Sequence, residues 1–227
     1  MPSKSLVVFK KGTAQLDTFR YFTAKYPIKT FKKGETILLK GEKPKNLFII
    51  ESGYVKTYSI TKNGNERLVS IDRKDEEFPI GYTVGLIERS EYFYEAFTRC
   101  TVRMVPREEY LEYLGSNTER AYASHVRITR LLLATLSHIH ALEHPSAGEK
   151  IAHTLVYMGK QLGVPLRPQK TDVKVLVTQQ EIANSLGITR ETANVELRKL
   201  EALSLITYSR KSYILHMEQL QEYLEKK

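Results

Sequence analysis

Residues 178–200 restrict the possible folds more tightly than any other stretch of the chain. Thr178, followed three positions later by Glu181, has the pattern of a capping box, in which a hydroxyl and a carboxylate each satisfy a free amide at a helix start. Ile182, Ala183 and Leu186 then line one apolar face, and Gly187 permits a tight turn at positive φ. Thr189 is placed to cap a second helix whose buried stripe is Ala193, Leu197 and Leu200. Two short helices joined in this way form a helix-turn-helix.

At roughly 100° per residue, Arg190, Glu191, Asn194, Val195 and Arg198 fall opposite that stripe. Their chemistry suits base edges in a major groove. Arg190 can present a fork to guanine, Glu191 can accept from cytosine, Asn194 can pair with adenine, and Val195 can only make apolar contact. Residues 205–208 and 212–215 then read as two short strands around a basic turn, Arg210-Lys211. A β-hairpin just after a reading helix is a wing whose tip can touch phosphate. The context points to double-stranded DNA as the partner.

Thr178-x-Gln180-Glu181-Ile182-Ala183, then Gly187, then Arg190-Glu191-Thr192, resembles the DNA-binding domain of the Crp/Fnr family of bacterial transcription regulators. The resemblance continues in order along nearly the whole chain. It implies that Thr178, Gln180, Thr189 and Thr192 contact backbone phosphates while Arg190 and Glu191 read bases. It also implies a homodimer on a palindromic promoter site, in contact with RNA polymerase. The family often carries Arg or Ser where this chain has Val195, which implies a different preferred operator.

Composition sets the outer limits. The 227 residues suffice for one full core or two smaller ones, and 41% hydrophobic with 27% charged residues matches a soluble globular protein. No apolar run has the length of a membrane helix, and the N-terminus lacks a signal-peptide pattern, so a cytoplasmic location is expected. The lone cysteine, Cys100, excludes an internal disulfide and a four-cysteine metal or iron–sulfur site within one chain. The net charge of +9 is not concentrated on the reading helix. Residues 1–45 hold 11 Lys/Arg against 3 Asp/Glu, residues 46–145 hold 12 against 14, and residues 146–227 hold 12 against 9. The motif, more than bulk charge, carries the DNA reading.

Residues 1–13 are lysine-rich and read as a loose arm. Leu16, Phe19, Tyr21, Phe22 and Tyr26 suggest a short helix stopped by Pro27. From Ile28 the period changes. Short strands near 28–31, 36–39, 46–50, 54–60 and 67–71 are separated by turns at Gly34, Gly41, Gly53 and Gly64, which indicates an antiparallel barrel or roll. This resembles the cyclic-nucleotide-binding β-roll, with Gly34-Glu35 and Ser52-Gly53 at family turn positions. Residues 101–105 form a last strand, and Pro106 opens a short helix with Tyr110, Leu111 and Leu114.

A fold of this kind does not by itself bind a nucleotide. The family's cyclic-AMP pocket places a Glu on the ribose and an Arg with a hydroxyl residue on the phosphate. Here Tyr82 stands where that Glu belongs, and Arg89-Ser90 is one place out of register with Glu91 following. A carboxylate there would repel phosphate. Haem ligation from the roll would need a histidine, yet all six histidines, His125 through His216, lie beyond it. The sequence thus assigns no cyclic nucleotide, haem or iron–sulfur cluster. Phe78, Tyr82, Tyr92, Phe93, Tyr94 and Phe97 either line a pocket for an apolar ligand, with Arg89 and Ser90 at its edge, or pack as core.

A long helix is expected from about Asn117 to His144. Ala121, His125, Ile128, Leu132, Thr135, Ile139 and Leu142 alternate in steps of four and three, the seam of a dimerisation helix. Val126, Leu133 and Leu136 supply a second stripe suited to resting on the roll. His140 and His144 are four apart, a spacing that can bind metal, but no third ligand of matched spacing is apparent and no metal is assigned. Pro145 ends the helix, Ser146 to Glu149 reads as a second capping box, and Ile151, Leu155, Tyr157, Met158 and Leu162 mark the next helix. The tail from Met217 reads as a small acidic helix.

The expected class is α+β: an N-terminal antiparallel β-roll over residues 1–116, a dimerisation helix and hinge over 117–145, and a C-terminal winged helix-turn-helix over 146–227. The expected function is sequence-specific transcription regulation. A cyclic-nucleotide-responsive signalling protein of the same architecture is the alternative. No clustered nucleophile, base and stabiliser suggests an enzyme.

Overall fold

The structure is a computed structural model describing residues 13–166, 171–209 and 212–226. Nearly all of the expected N-terminal arm and both residues of the basic hairpin tip, Arg210 and Lys211, lie outside the described residues.

Alternating side chains and Gly turns build the N-terminal half. Helix α1 (Thr13–Ala24) precedes strands β1 (Ile28–Phe31), β2 (Thr36–Leu38), β3 (Leu47–Ser52), β4 (Val55–Ile60), β5 (Glu66–Asp72) and β6 (Glu77–Phe78). A single turn, α2 (Ile80–Thr83), leads to β7 (Phe93–Ala96) and β8 (Cys100–Val105). Two four-stranded antiparallel sheets result, ordered β1-β8-β3-β6 and β2-β7-β4-β5. Their core holds Phe31, Leu38, Ile50, Val55, Phe78, Tyr94, Ala96, Cys100 and Val102. Gly53 must be glycine. It has φ of 81°, and a Cβ there would collide with the Arg99 carbonyl. Burial, helped by nearby Glu35, raises the Cys100 thiol to about 11, so Cys100 acts as a small apolar filler.

Strands β6 and β7 were not legible in the sequence. Three aromatic residues in a row, Tyr92 to Tyr94, hide alternation, yet β7 pairs with both β2 and β4. The aromatic cluster is mostly core: Phe78 stacks between Phe48 at 5.2 Å and Tyr94 at 5.0 Å.

After the roll come α3 (Arg107–Gly115) and α4 (Thr118–Glu143), whose N-cap Asn117 accepts the Glu119 amide at 2.7 Å. In α3 the buried residues are Tyr110 and Tyr113, while Leu111 is exposed, contrary to the expected apolar set. The inward face of α4 is Ser124, Arg127, Leu131, Ala134, His138 and Ala141, a heptad-spaced line of mostly small or polar groups. Leu133 and Leu136 point to solvent, so the second stripe does not rest on the roll.

Helix α5 (Ala147–Leu162) starts at the Ser146 cap, which takes the Glu149 amide at 3.1 Å. The reciprocal half of the expected box is missing, because the Glu149 carboxylate sits 3.8 Å from His144. Strands β9 (Val164–Pro165) and β10 (Val173–Val175) come next. Then follow α6 (Gln179–Leu186), α7 (Arg190–Ala202), β11 (Ile206–Ser209), β12 (Ser212–Leu215) and α8 (Met217–Glu225), with a third sheet ordered β11-β12-β10-β9. Its helices share one core with Ile71 and Phe97 of the roll.

A buried ionic cluster fastens α4 to the roll. Glu77 Oε1 accepts from the Tyr110 hydroxyl at 2.9 Å and from Ser124 Oγ at 3.0 Å, and Glu77 Oε2 accepts from Arg127 Nε at 3.2 Å. Arg127 also donates to the Tyr110 oxygen at 2.9 Å and lies over the Phe19 ring. Removing one member of such a pair strands a buried charge. Arg127→Met should therefore cost about 3–5 kcal/mol in chemical denaturation, and adding Glu77→Leu should recover most of that loss. Equal stability of the single variant and the wild type would refute this account.

Candidate nucleic-acid interface

Local chemistry sets the helix-turn-helix. Thr178 Oγ1 accepts the Glu181 amide at 3.1 Å, and the Glu181 carboxylate accepts the Thr178 amide at 2.7 Å. The box is therefore complete. Helix α6 ends at Gly187, whose φ of 68° is the left-handed conformation that glycine accepts without strain. Thr189 then caps α7 by accepting from the Thr192 amide at 3.1 Å.

The expected reading face is open. Ala193, Leu197 and Leu200 are buried, whereas Arg190, Glu191 and Arg198 are exposed and Val195 is 52% exposed. Asn194 is half-buried, and its Oδ1 accepts from Gln179 at 3.0 Å. Gln180 is exposed but turned along its own helix, donating to Asn184 at 2.7 Å. The Thr178 hydroxyl is engaged in the cap and also donates to Glu181 at 3.0 Å, so a phosphate would have to share it. Thr189 and Thr192 hold their hydroxyls 3.0 Å apart at the start of α7, beside the free amides of its first turn. Thus Arg190, Glu191, Val195 and Arg198 share one accessible face, with the two threonines at its end.

The roll also touches this unit, which the sequence did not indicate. Lys33 forms a 2.7 Å ion pair with Glu181, the capping carboxylate of α6. The Arg67 guanidinium packs on Gly187, where an added Cβ would sit 2.5 Å from Cζ. Tyr157 of α5 accepts from the Ile71 amide of β5 at 3.1 Å and stacks on His138 of α4. Burial lowers the His138 pKa and so favours the neutral ring. These contacts join residues 33, 67 and 71 to positions more than 65 residues later, a distance no local pattern spans.

The residues expected around an effector pocket do not converge. Phe78 and Tyr94 belong to the roll's inner stack, and Tyr82 is buried under Arg107. Arg89 donates to the Gly41 carbonyl at 2.9 Å, and Ser90 donates to the Tyr92 carbonyl at 2.6 Å. Arg89 and Ser90 do edge an open surface depression, together with Lys40, Gly41, Glu88 and Glu91. Its mixed charges come from Lys40 after β2 and from Glu88, Arg89 and Glu91 in the loop before β7.

Two family models match in order. Residues 28–117 match the cyclic nucleotide-binding domain, and residues 149–223 match the Crp-like helix-turn-helix domain. The chain is 27% identical over 188 residues to the global nitrogen regulator of Synechococcus elongatus, covering 81% of this chain and 83% of that one. It is 26% identical over 207 residues to the cAMP-activated global transcriptional regulator CRP of Escherichia coli, covering 90% and 97%. Its fold resembles that of the c-di-GMP-responsive global regulator CLP of Xanthomonas campestris, with a TM-score of 0.72 at 22% identity over 88% of this chain and 99% of that one. Among the described residues no helix is long and apolar enough to cross a membrane.

The turn and the cap make separable contributions. Gly187→Ala should destabilise the protein by about 1–2 kcal/mol through its left-handed backbone. Thr178→Ala should cost about 1 kcal/mol through the lost cap. Thermal melts of the two variants and their combination check both values.

Proposed function

The chain belongs to the Crp/Fnr family of transcription regulators, and from that premise we propose that it acts as a homodimer on a two-fold symmetric promoter site. The observation that carries the reading is the face of α7, which is exposed at Arg190, Glu191, Val195 and Arg198 while the opposite stripe is sealed into the core. In this proposal Arg190, Glu191 and Asn194 meet base edges and Val195 meets a thymine methyl. Thr178, Gln180, Thr189, Thr192 and the wing residues Arg210 and Lys211 meet phosphates and set the register.

Helix α4 supports the dimer reading. Leu132, Leu133, Leu136 and Ile139 are 55%, 58%, 50% and 46% exposed, an apolar strip along one side of the helix. Of the expected seam, Leu132 and Ile139 lie in this strip, Ala121 and His125 are exposed before it, and Ile128, Thr135 and Leu142 flank it half-buried. Pairing two such helices would bury the strip and place two α7 helices about one DNA turn apart. The working division is a roll to residue 116, a dimerisation helix and hinge to 145, and a DNA-reading unit beyond. RNA polymerase is the expected further partner, by family.

Regulation, in this reading, runs through the roll. An input that bound one placement of β4 and β5 better than another would shift α4 and re-aim α7. The match to a cyclic nucleotide-binding domain supports the alternative that this input is a cyclic nucleotide. Against it, Arg89 and Ser90 already have backbone partners and stand between Glu88 and Glu91.

Selection of random duplexes by the purified protein tests the proposal. The expected outcome is a two-fold symmetric site, with Arg190→Ala losing discrimination at one position in each half by about 1–3 kcal/mol. A selected site without symmetry would sink dimeric reading. In sedimentation, Leu136→Arg should shift the dimer toward monomer while leaving the fold intact.

A further inference from the structure

The structure brings a third histidine to the pair on α4. His140 lies in the last turn of α4, His144 is its C-cap, and His153 comes from the second turn of α5, across the bend at Pro145-Ser146. One ring nitrogen from each lies within 4.8 Å of the other two. The His144 and His153 rings stack at 3.9 Å, and His140 sits edge-on to both, at 4.9 Å from His144 and 5.4 Å from His153.

Two observations distinguish this cluster from a chance gathering of surface rings. The His144 Nε2 atom is buried and has no hydrogen-bond partner. Its Nδ1 instead faces the Glu149 carboxylate at 3.8 Å, and His140 Nδ1 faces the Glu143 carboxylate at the same distance. At 3.8 Å these contacts are longer than a hydrogen bond, and shortening them would give the arrangement in which a carboxylate orients one ring nitrogen and leaves the other to ligate metal.

We propose that His140, His144 and His153 form a binding site for a transition-metal ion, with zinc as the ion that fits best. Three imidazoles suit zinc, nickel or copper and do not suit calcium or magnesium. A tetrahedral zinc at about 2.0–2.1 Å from each nitrogen needs the donors about 3.4 Å apart. Reaching that geometry takes rotation of exposed His140 and a turn of the stacked His144 and His153 rings out of their near-parallel planes, so that all three lone pairs meet one ion. Solvent supplies the fourth ligand, and Glu149 and Glu143 orient the rings. Because two ligands lie at the end of α4 and one in α5, the ion bonds the long helix to the unit that carries α7. It fixes the angle between them.

The test uses the full chain, purified without a histidine tag and stripped with a chelator. Titration with zinc should show one ion per chain, and cobalt in its place should give the intense visible absorption of a four-coordinate ion. His153→Ala should weaken zinc binding by more than about tenfold, and so should His140→Ala. Zinc should raise the thermal midpoint of the wild type and leave that of His153→Ala unmoved. Circular dichroism of the metal-free proteins verifies folding, with His153→Gln as a second variant should alanine perturb α5. No stoichiometric binding, weak six-coordinate cobalt bands, or wild-type affinity in both His153 variants would overturn the site. The last result would place any ion on the α4 pair alone. None of these readouts depends on DNA binding.

Discussion

A carboxylate with almost no access to water holds the β-roll to the long helix. Glu77 belongs to a two-residue strand at the sheet edge, and it is saturated by groups from three other places: Tyr110 of α3, and Ser124 and Arg127 of α4. A buried pair of this kind adds little net stability over a well-packed apolar substitute, because both ions lose their hydration. What it supplies is position. Donors from two helices must reach two oxygens of one residue, so sliding or rotating α4 would leave the charge unsatisfied. The placement of α5 and α7 depends on that of α4.

The other end of α4 is held differently. His138 stacks on Tyr157, and Tyr157 accepts the Ile71 amide, so long helix, reading unit and roll meet at one aromatic contact. Lys33 and Arg67 add contacts from the roll directly onto the helix-turn-helix. The β4–β5 hairpin therefore touches both α4 and the helix-turn-helix. In the proposed regulation, these packed contacts are the route by which an input to the roll would reach α7.

The aromatic region illustrates how composition alone leaves a choice open. Phe48, Phe78 and Tyr94 stack in the roll's interior, while Tyr58 stacks on Phe93 along the outside of the neighbouring strands. The six ring-bearing positions from Phe78 to Phe97 named above could line a cavity or fill one. Pairing of β7 with both β2 and β4 decides the matter, because it turns Tyr94 inward and Phe93 outward.

The local elements were legible because their causes are local. A capping box, a glycine at positive φ and a 3.6-residue stripe place α6, the turn and α7 within a few residues of their observed limits. The same holds for α4, whose Asn117 and Pro145 mark its ends in the sequence. Contacts between distant segments were not legible. Nothing near Lys33 announces Glu181, nothing near Glu77 announces Arg127, and His153 carries no spacing signal linking it to His140. Side chains that meet across a fold obey no period. Their encounter is decided by how sheets and helices stack, and only the tertiary structure records that stacking.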